Sequence, residues 1–176
     1  MAGQNFPKKL QPYYFAVNAM FIEAMKSREV SREVSICSTR LQWWETQLTS
    51  IQAGKAPVEP VGRMLQQVAF KTRVNLDLLK RLVAYQQFDI ERGEMNTMAE
   101  LEVYGENTRS LLLYLNLHLL EIDDRDANLA ASHLGRCLGI CDVIKKSPHM
   151  MALNRNQFPT EILLKHELYF DRIWDK

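Results

Sequence analysis

Cysteine is scarce in this sequence: Cys37, Cys137 and Cys141 are three in 176 residues. That number cannot build a disulfide framework and suits a reducing compartment. Neither sign of charge dominates. Twenty-two basic residues against 21 acidic ones leave +1, so nothing points to a nucleic-acid backbone or an anionic membrane as the main partner. No apolar stretch follows Met1 as a secretory signal requires. The densest apolar run, Leu111 to Leu120, is broken by Asn116 and His118 and falls short of the about 20 residues that span a membrane. A Gly-rich phosphate loop, a nucleophile elbow and an H-E-x-x-H pair are all missing. With seven glycines and six prolines, the chain has few breaks between long periodic segments, and an all-α bundle follows.

Residues 1–11 read as a loose leader and 12–176 as a single all-helical domain. The stretch from Thr97 to Leu120 is expected at its centre. Thr97 and Glu100 form a capping box, and Met98, Leu101, Tyr104, Thr108, Leu111, Leu115 and Leu119 recur on one helix face. Leu112, Leu113, Leu117 and Leu120 cover most of the remaining circumference, which predicts a helix surrounded by others. Before it, Tyr13–Met25 reads as a first helix. Val30, Val34, Cys37, Leu41, Trp44, Leu48 and Ile51 then form a heptad-like seam on a second helix from Ser27 to Ile51. Shorter helices follow at Val61–Phe70 and Val74–Ile90. After the centre, a helix from Ala127 to Lys146 is expected to turn Leu129, Ala130, His133, Leu134, Cys137, Leu138 and Cys141 inward and to stop at Pro148. Met150 to Phe158 reads as irregular, and Pro159 opens a last helix from Thr160 to Trp174.

Several side chains invite a chemical reading. Cys137 and Cys141, one turn apart and near His133, could hold a metal, but the spacing is not that of a structural zinc site. Buried cysteines are common core residues, so the core reading is preferred, for His118 and His133 as well. Asp123, Asp124 and Asp126 could bind a divalent ion, yet acids at a helix start are explained by the dipole alone. Trp43 and Trp44 read as packing unless an apolar ligand lies there.

Three stretches taken together resemble the squalene/phytoene synthase family. Arg40-Leu41-Gln42-Trp43-Trp44 is similar to its R-L-x-W-W element. Asp89, Glu100-Leu101, Tyr104 and Thr108 are similar to its D…E-L-x-x-Y-x-x-x-T run. Leu134-Gly135 through Ile144, followed by Pro159-Thr160-Glu161-Ile162, resembles the helix bearing the second aspartate motif and the segment after it. The likeness runs from about Tyr14 to Leu168 and implies a prenyl-synthase-like helical bundle, shortened at its C-terminus. Within the family, Glu100 to Thr108, Ser110 to Leu115 and Ala130 to Gly135 most resemble a mitochondrial branch that supports assembly of respiratory complex I without known synthase chemistry.

That resemblance implies where a site would lie. Family enzymes ionise an allylic diphosphate with magnesium held by two aspartate-rich helices, and magnesium demands oxygen ligands. The first motif aligns near Met25, Lys26 and Glu29, and the second becomes Asp142-Val143-Ile144-Lys145-Lys146. A lysine in place of a metal-binding aspartate repels the ion, so neither metal nor cofactor is expected. Lys26 and Lys146 could still clamp a diphosphate without activating it. The resulting expectation is a pseudo-enzyme on the matrix side of the inner membrane, in peripheral contact with it, that binds a complex I subunit or assembly intermediate. A groove with Trp43, Trp44, Tyr104, Thr108 and the leucine-rich helix would take an apolar helix, an isoprenoid or a quinone tail. A magnesium-dependent prenyl-diphosphate transferase recruiting Glu23, Glu29 or Asp142, and a permanent subunit of a mitochondrial complex, are the alternatives. A mitochondrial presequence is not supported by composition: residues 1–22 carry Lys8 and Lys9 and no acid before Glu23, but also no arginine.

Overall fold

The structure, a computed structural model, describes residues 2–31, 33–55, 57–152 and 155–168. Among these the chain forms helices and no strand: α1 (Gln11–Lys26), α2 (Val34–Gln52), α3 (Pro60–Lys71), α4 (Asp77–Arg92), α5 (Met98–Gly105), α6 (Leu111–Leu119), α7 (Arg125–Ala152) and α8 (Thr160–Lys165). A π-helical segment, Glu106–Ser110, joins α5 to α6 without a break. Among the described residues no helix is long and apolar enough to cross a membrane. The all-α architecture expected from the sequence is the one observed among these residues.

Local chemistry sets the helix starts. Glu59 precedes Pro60 at a first helical position, and its carboxylate accepts the N–H groups of Val61 at 2.8 Å and Gly62 at 2.6 Å. Thr97 accepts the Glu100 N–H at 3.2 Å, while the Glu100 carboxylate reaches back to the Asn96 N–H at 2.7 Å, one residue before the reciprocal partner of an ordinary capping box. Residues 2–10, ahead of α1, include a 3-10 turn, Ala2–Asn5, and the Phe6 ring lies 4.4 Å from that of Tyr14.

The second helix starts later than its seam predicts. A 3-10 turn, Ser27–Glu29, follows α1, and α2 begins at Val34, leaving Val30 50% exposed. The Arg155 guanidinium donates to the carbonyls of Arg28 and Ser31, the latter at 3.0 Å, so these acceptors serve a distant segment rather than a helical ladder. The rest of the seam, Cys37, Leu41, Trp44, Leu48 and Ile51, is buried as expected, chiefly against α4 and α3.

The central stretch packs against α1, α4 and α7, with Leu101, Tyr104, Thr108, Leu111, Leu115 and Leu119 buried. Its π segment coincides with the Thr108 hydroxyl donating to the Tyr104 carbonyl at 2.6 Å, a side-chain bond that competes with the α-helical ladder. One face of α6 is less enclosed than expected, and Leu120 is exposed.

Helix α7 corrects the sequence reading most. It runs through Pro148 to Ala152, and Ile144, whose carbonyl loses its partner to the missing Pro148 N–H, accepts the Ser147 hydroxyl at 2.8 Å instead. Its buried side is Ala131, Gly135, Gly139 and Val143; Leu129, Leu134 and Leu138 are exposed. Cys137 and His133 are exposed too, and Cys141 is half-buried, so the core assignment of these three does not hold. The reason is backbone proximity. A Cβ on Gly135 would stand 2.4 Å from the Ser110 Cα, and one on Gly139 2.4 Å from the Gly105 Cα. The stripe lacking side chains is what enters the bundle. Asp124 accepts the Ala127 N–H at 2.7 Å and caps α7. Helix α8 begins behind Pro159 as expected, and Trp174 lies outside the described residues.

Gly139→Ala is expected to destabilise the fold. Alanine gains about 1 kcal/mol of helix propensity over glycine, but overpacking against backbone costs about 1–3 kcal/mol or more, so the net loss reaches about 2 kcal/mol. Leu134→Ala on the open side should change stability by less than about 1 kcal/mol. Urea unfolding of both variants checks the contrast; an unchanged midpoint for Gly139→Ala would contradict the close crossing.

Candidate functional site

The positions aligned with the two aspartate motifs meet in space. Lys146 on α7 donates from Nζ to Glu29 Oε1 at 2.8 Å, across 117 residues of sequence. One turn earlier, Asp142 pairs with Arg109 of the π segment, whose guanidinium also lies 5.1 Å from the centre of the Phe21 ring. Lys26 ends α1 at the surface, and Met25 beside it is buried in the core. Glu23, one turn back on α1, pairs with Arg40. Each carboxylate that a metal site would recruit thus carries a cationic partner from the chain itself. Among the described residues no group of three or more His, Cys, Asp or Glu is placed to hold a metal ion.

The aromatic candidates separate. Trp44 is buried, while Trp43, its ring 4.7 Å away and nearly perpendicular, is 43% exposed and borders a surface hollow of about 430 Å³ with Val30, Ile36 and Arg40. Tyr104 lies in the core with its ring 6.3 Å from Tyr85, and burial pushes its phenol up to about 12. It stays protonated and serves packing. Thr108 is spent on the Tyr104 carbonyl. A second opening of about 460 Å³ lies between Phe6, Tyr14, the Leu113–Leu117–Leu120 face and the start of α7. Neither tryptophan nor Tyr104 lines it. His118 is half-buried beside Arg73 and Asp123 rather than in the core.

Beneath the motif positions sits a polar cluster that the sequence reading missed. Arg28, from the 3-10 turn, pairs with Asp89 of α4, which is 1% exposed; Arg92 also reaches Asp89 at 2.6 Å and Glu100 at 3.5 Å. A second network holds the π segment to α7. Glu106 accepts the Tyr114 hydroxyl at 2.7 Å, the Ser132 hydroxyl at 2.8 Å and the Arg136 Nε–H at 3.3 Å. Burial alone would raise its carboxyl, but these hydrogen bonds together hold it below the ordinary range.

Comparison with known proteins gives the family and the fold. The family profile described as squalene/phytoene synthase matches residues 1–173. The chain belongs to the squalene/phytoene synthase family. Its bundle superposes on a dehydrosqualene synthase with a TM-score of 0.81 at 19% identity, covering 99% of this chain and 60% of that one. A squalene synthase from Alicyclobacillus acidocaldarius gives 0.67 at 16% identity, over 98% of this chain and 76% of that one. Among curated relatives, a Homo sapiens protein named NADH dehydrogenase (ubiquinone) complex I, assembly factor 6 is 28% identical over 160 residues, 91% of this chain and 48% of its own length. The Drosophila melanogaster homolog is 30% identical over 175 residues, 95% of this chain and 52% of its own. The chain therefore spans about half the length of the curated relatives it matches.

In this member of the squalene/phytoene synthase family, Asp89 was visible as a family position, but its partner Arg28 was hidden in the duplicated SREVSREVS. Asp89→Asn should cost about 3–5 kcal/mol, because two guanidinium groups lose a buried counter-charge. Arg28→Met/Asp89→Leu should cost less than the single change, and a double-mutant cycle by denaturant unfolding reads the difference. Glu106 gives the second test. Its folded pKa lies below the ordinary 4.5, so its contribution is present above that pH and lost as pH falls through the depressed value. Glu106→Gln should flatten the acid limb of the stability–pH curve; an unaltered limb would show that the network adds nothing.

Proposed function

We propose that this chain is a non-catalytic helper in the assembly of mitochondrial respiratory complex I, holding a partner subunit or assembly intermediate on the matrix side of the inner membrane. Peripheral contact with that membrane belongs to the same proposal. The observation that carries it is the pairing of Glu29 with Lys146 and of Asp142 with Arg109, where the family alignment puts metal-binding carboxylates. Magnesium needs several free oxygen donors in near-octahedral array. Here a lysine ammonium and a guanidinium engage the carboxylate oxygens that the ion would need, which weighs against the prenyl-diphosphate transferase reading. The relatives from human and Drosophila, named for complex I assembly and matched over nine-tenths of this chain, support the client class. An isoprenoid or quinone ligand finds less support, because neither tryptophan nor Tyr104 lines the opening beside the leucines of α6.

Two measurements test this. In cells lacking the protein, native gels should show mature complex I falling, with recovery on re-expression of the wild type; undiminished complex I sinks the assembly role. Purified protein given farnesyl diphosphate and magnesium should release no diphosphate above background. Release that is lost on Asp142→Asn would restore the enzyme reading.

A further inference from the structure

Helix α7 packs chiefly against α5, the π segment and α6, and the small-residue stripe that enters the bundle occupies one side of it. On the opposite side Ala127, Ala130, Leu134, Cys137, Cys141 and Ile144 recur at alternating steps of three and four residues, the spacing of a heptad seam. Leu134 is 52% and Ile144 56% exposed, and Cys137 is exposed between them. The seam extends about 25 Å at 1.5 Å per residue, and a continuous apolar strip of that length marks an interaction surface. Two properties say what it fits. Its steps read the same from either end, so the seam can face a reversed copy of itself. Its charges are also divided by end: Asp123, Asp124 and Asp126 lie at its start, and Lys145 follows Ile144 at its finish.

We propose that this seam pairs antiparallel with the seam of a second copy of the chain, about a two-fold axis level with the step from Gly135 to Arg136. Such a contact is isologous, so each layer occurs twice. In this register Ala127 meets Ile144, Ala130 meets Cys141 and Cys137 meets Leu134, a smaller residue against a larger one in every layer. A parallel pair would set Ala127 on Ala127 and Ile144 on Ile144, with a gap in one layer and crowding in another, and would bring like charges together at both ends. The antiparallel pair instead brings Lys145 of each copy to the acidic start of the other's α7. A receptacle is already formed there. The opening of about 460 Å³ beside Ala127, Ala130 and Leu134 is walled on α6 by Leu117 and Leu120, and it lies where the incoming Ile144 arrives. Asn116 lines the same opening, and its Oδ1 is buried without a hydrogen-bond partner. The incoming Lys145 ammonium is a donor that satisfies it. A strip about 25 Å by the roughly 10 Å width of a helix is well under the about 800 Å² per partner of standard stable complexes, so the pair should come apart on dilution.

Sedimentation equilibrium of the purified 176-residue chain between about 1 and 100 μM should show reversible exchange between monomer and dimer. Leu134→Lys, on the exposed face, should leave a monomer throughout that range with an unchanged helical circular dichroism spectrum. Lys145→Glu should raise the dissociation constant about tenfold. A wild-type chain that stays monomeric at the highest concentration overturns the proposal, as does a Leu134→Lys chain that still dimerises. Cross-linking tests the register separately, with Cys37 buried and out of reach. In Ala130→Cys/Cys137→Ser, oxidation by copper phenanthroline should join the new thiol to the native Cys141 of the second copy, giving a dimer on a non-reducing gel. Adding Cys141→Ser should abolish that band. A cross-link that survives Cys141→Ser sets position 130 against itself, as in a parallel pair, and overturns the antiparallel register. A chain that sediments as a dimer yet forms no cross-link pairs through another surface, which overturns the proposal as well.

Discussion

The crossing of α7 over the junction between α5 and α6 governs most of what this protein presents. Gly135 and Gly139 bring the α7 backbone against Ser110 and Gly105 so closely that a single methyl group would have no room. Little side-chain burial holds this contact, so its stability depends on backbone proximity and on the polar bonds that flank it: Glu106 to Ser132 and Arg136, Ser110 to the Ser132 carbonyl at 3.1 Å, and Arg109 to Asp142. The π segment lies at the same place, and an added residue in a helical turn re-aims the side chains that follow it. Glu106, Arg109 and Ser110, all within that segment, reach α7.

A second constraint sits across the bundle, where Arg28 and Arg92 converge on Asp89. Buried charges of this kind tolerate loss of one partner poorly and add little net stability when complete. What the cluster fixes is position. It anchors the 3-10 turn after α1, and Arg155 binds the carbonyls of Arg28 within that turn and of Ser31 just beyond it. Glu29 is thereby held where Lys146 can meet it, so the buried network sets the geometry of the surface pair above.

The helical class, the central stretch and most helix starts were legible because capping residues, prolines and apolar period act locally. The start of α2 was not, since Arg155, more than 120 residues away, competes for the carbonyls that a continuing helix would use. The orientation of α7 was misread for a related reason. Apolar period identifies the greasiest face, yet glycine and alanine make the closest approach, and burial there follows from what side chains are missing. Leu129, Leu134 and Leu138 therefore look inward in sequence and outward in structure. Of the site, the two motif regions could be aligned from their residues, but Arg109 and Arg28 carried no local signal. Their roles exist only once α7 and α4 are packed.

Two helices that each present a carboxylate to the same space repel one another unless a cation stands between them. In a metal-dependent bundle that cation is exchangeable, and closure depends on its concentration and on the bound substrate. Here Lys146 and Arg109 supply the charge from within the chain, covalently and at fixed stoichiometry, so the end of α1 and the middle of α7 are held together without an ion. On the proposed reading, the substitution that removes the means of activating a diphosphate also holds the scaffold closed at that end. An apolar face of α7, with Leu134 and Ile144 exposed, is left open on its other side. The part of the family architecture that once worked chemically has, on that reading, become structural, and pairing with a second copy falls to the open face of α7.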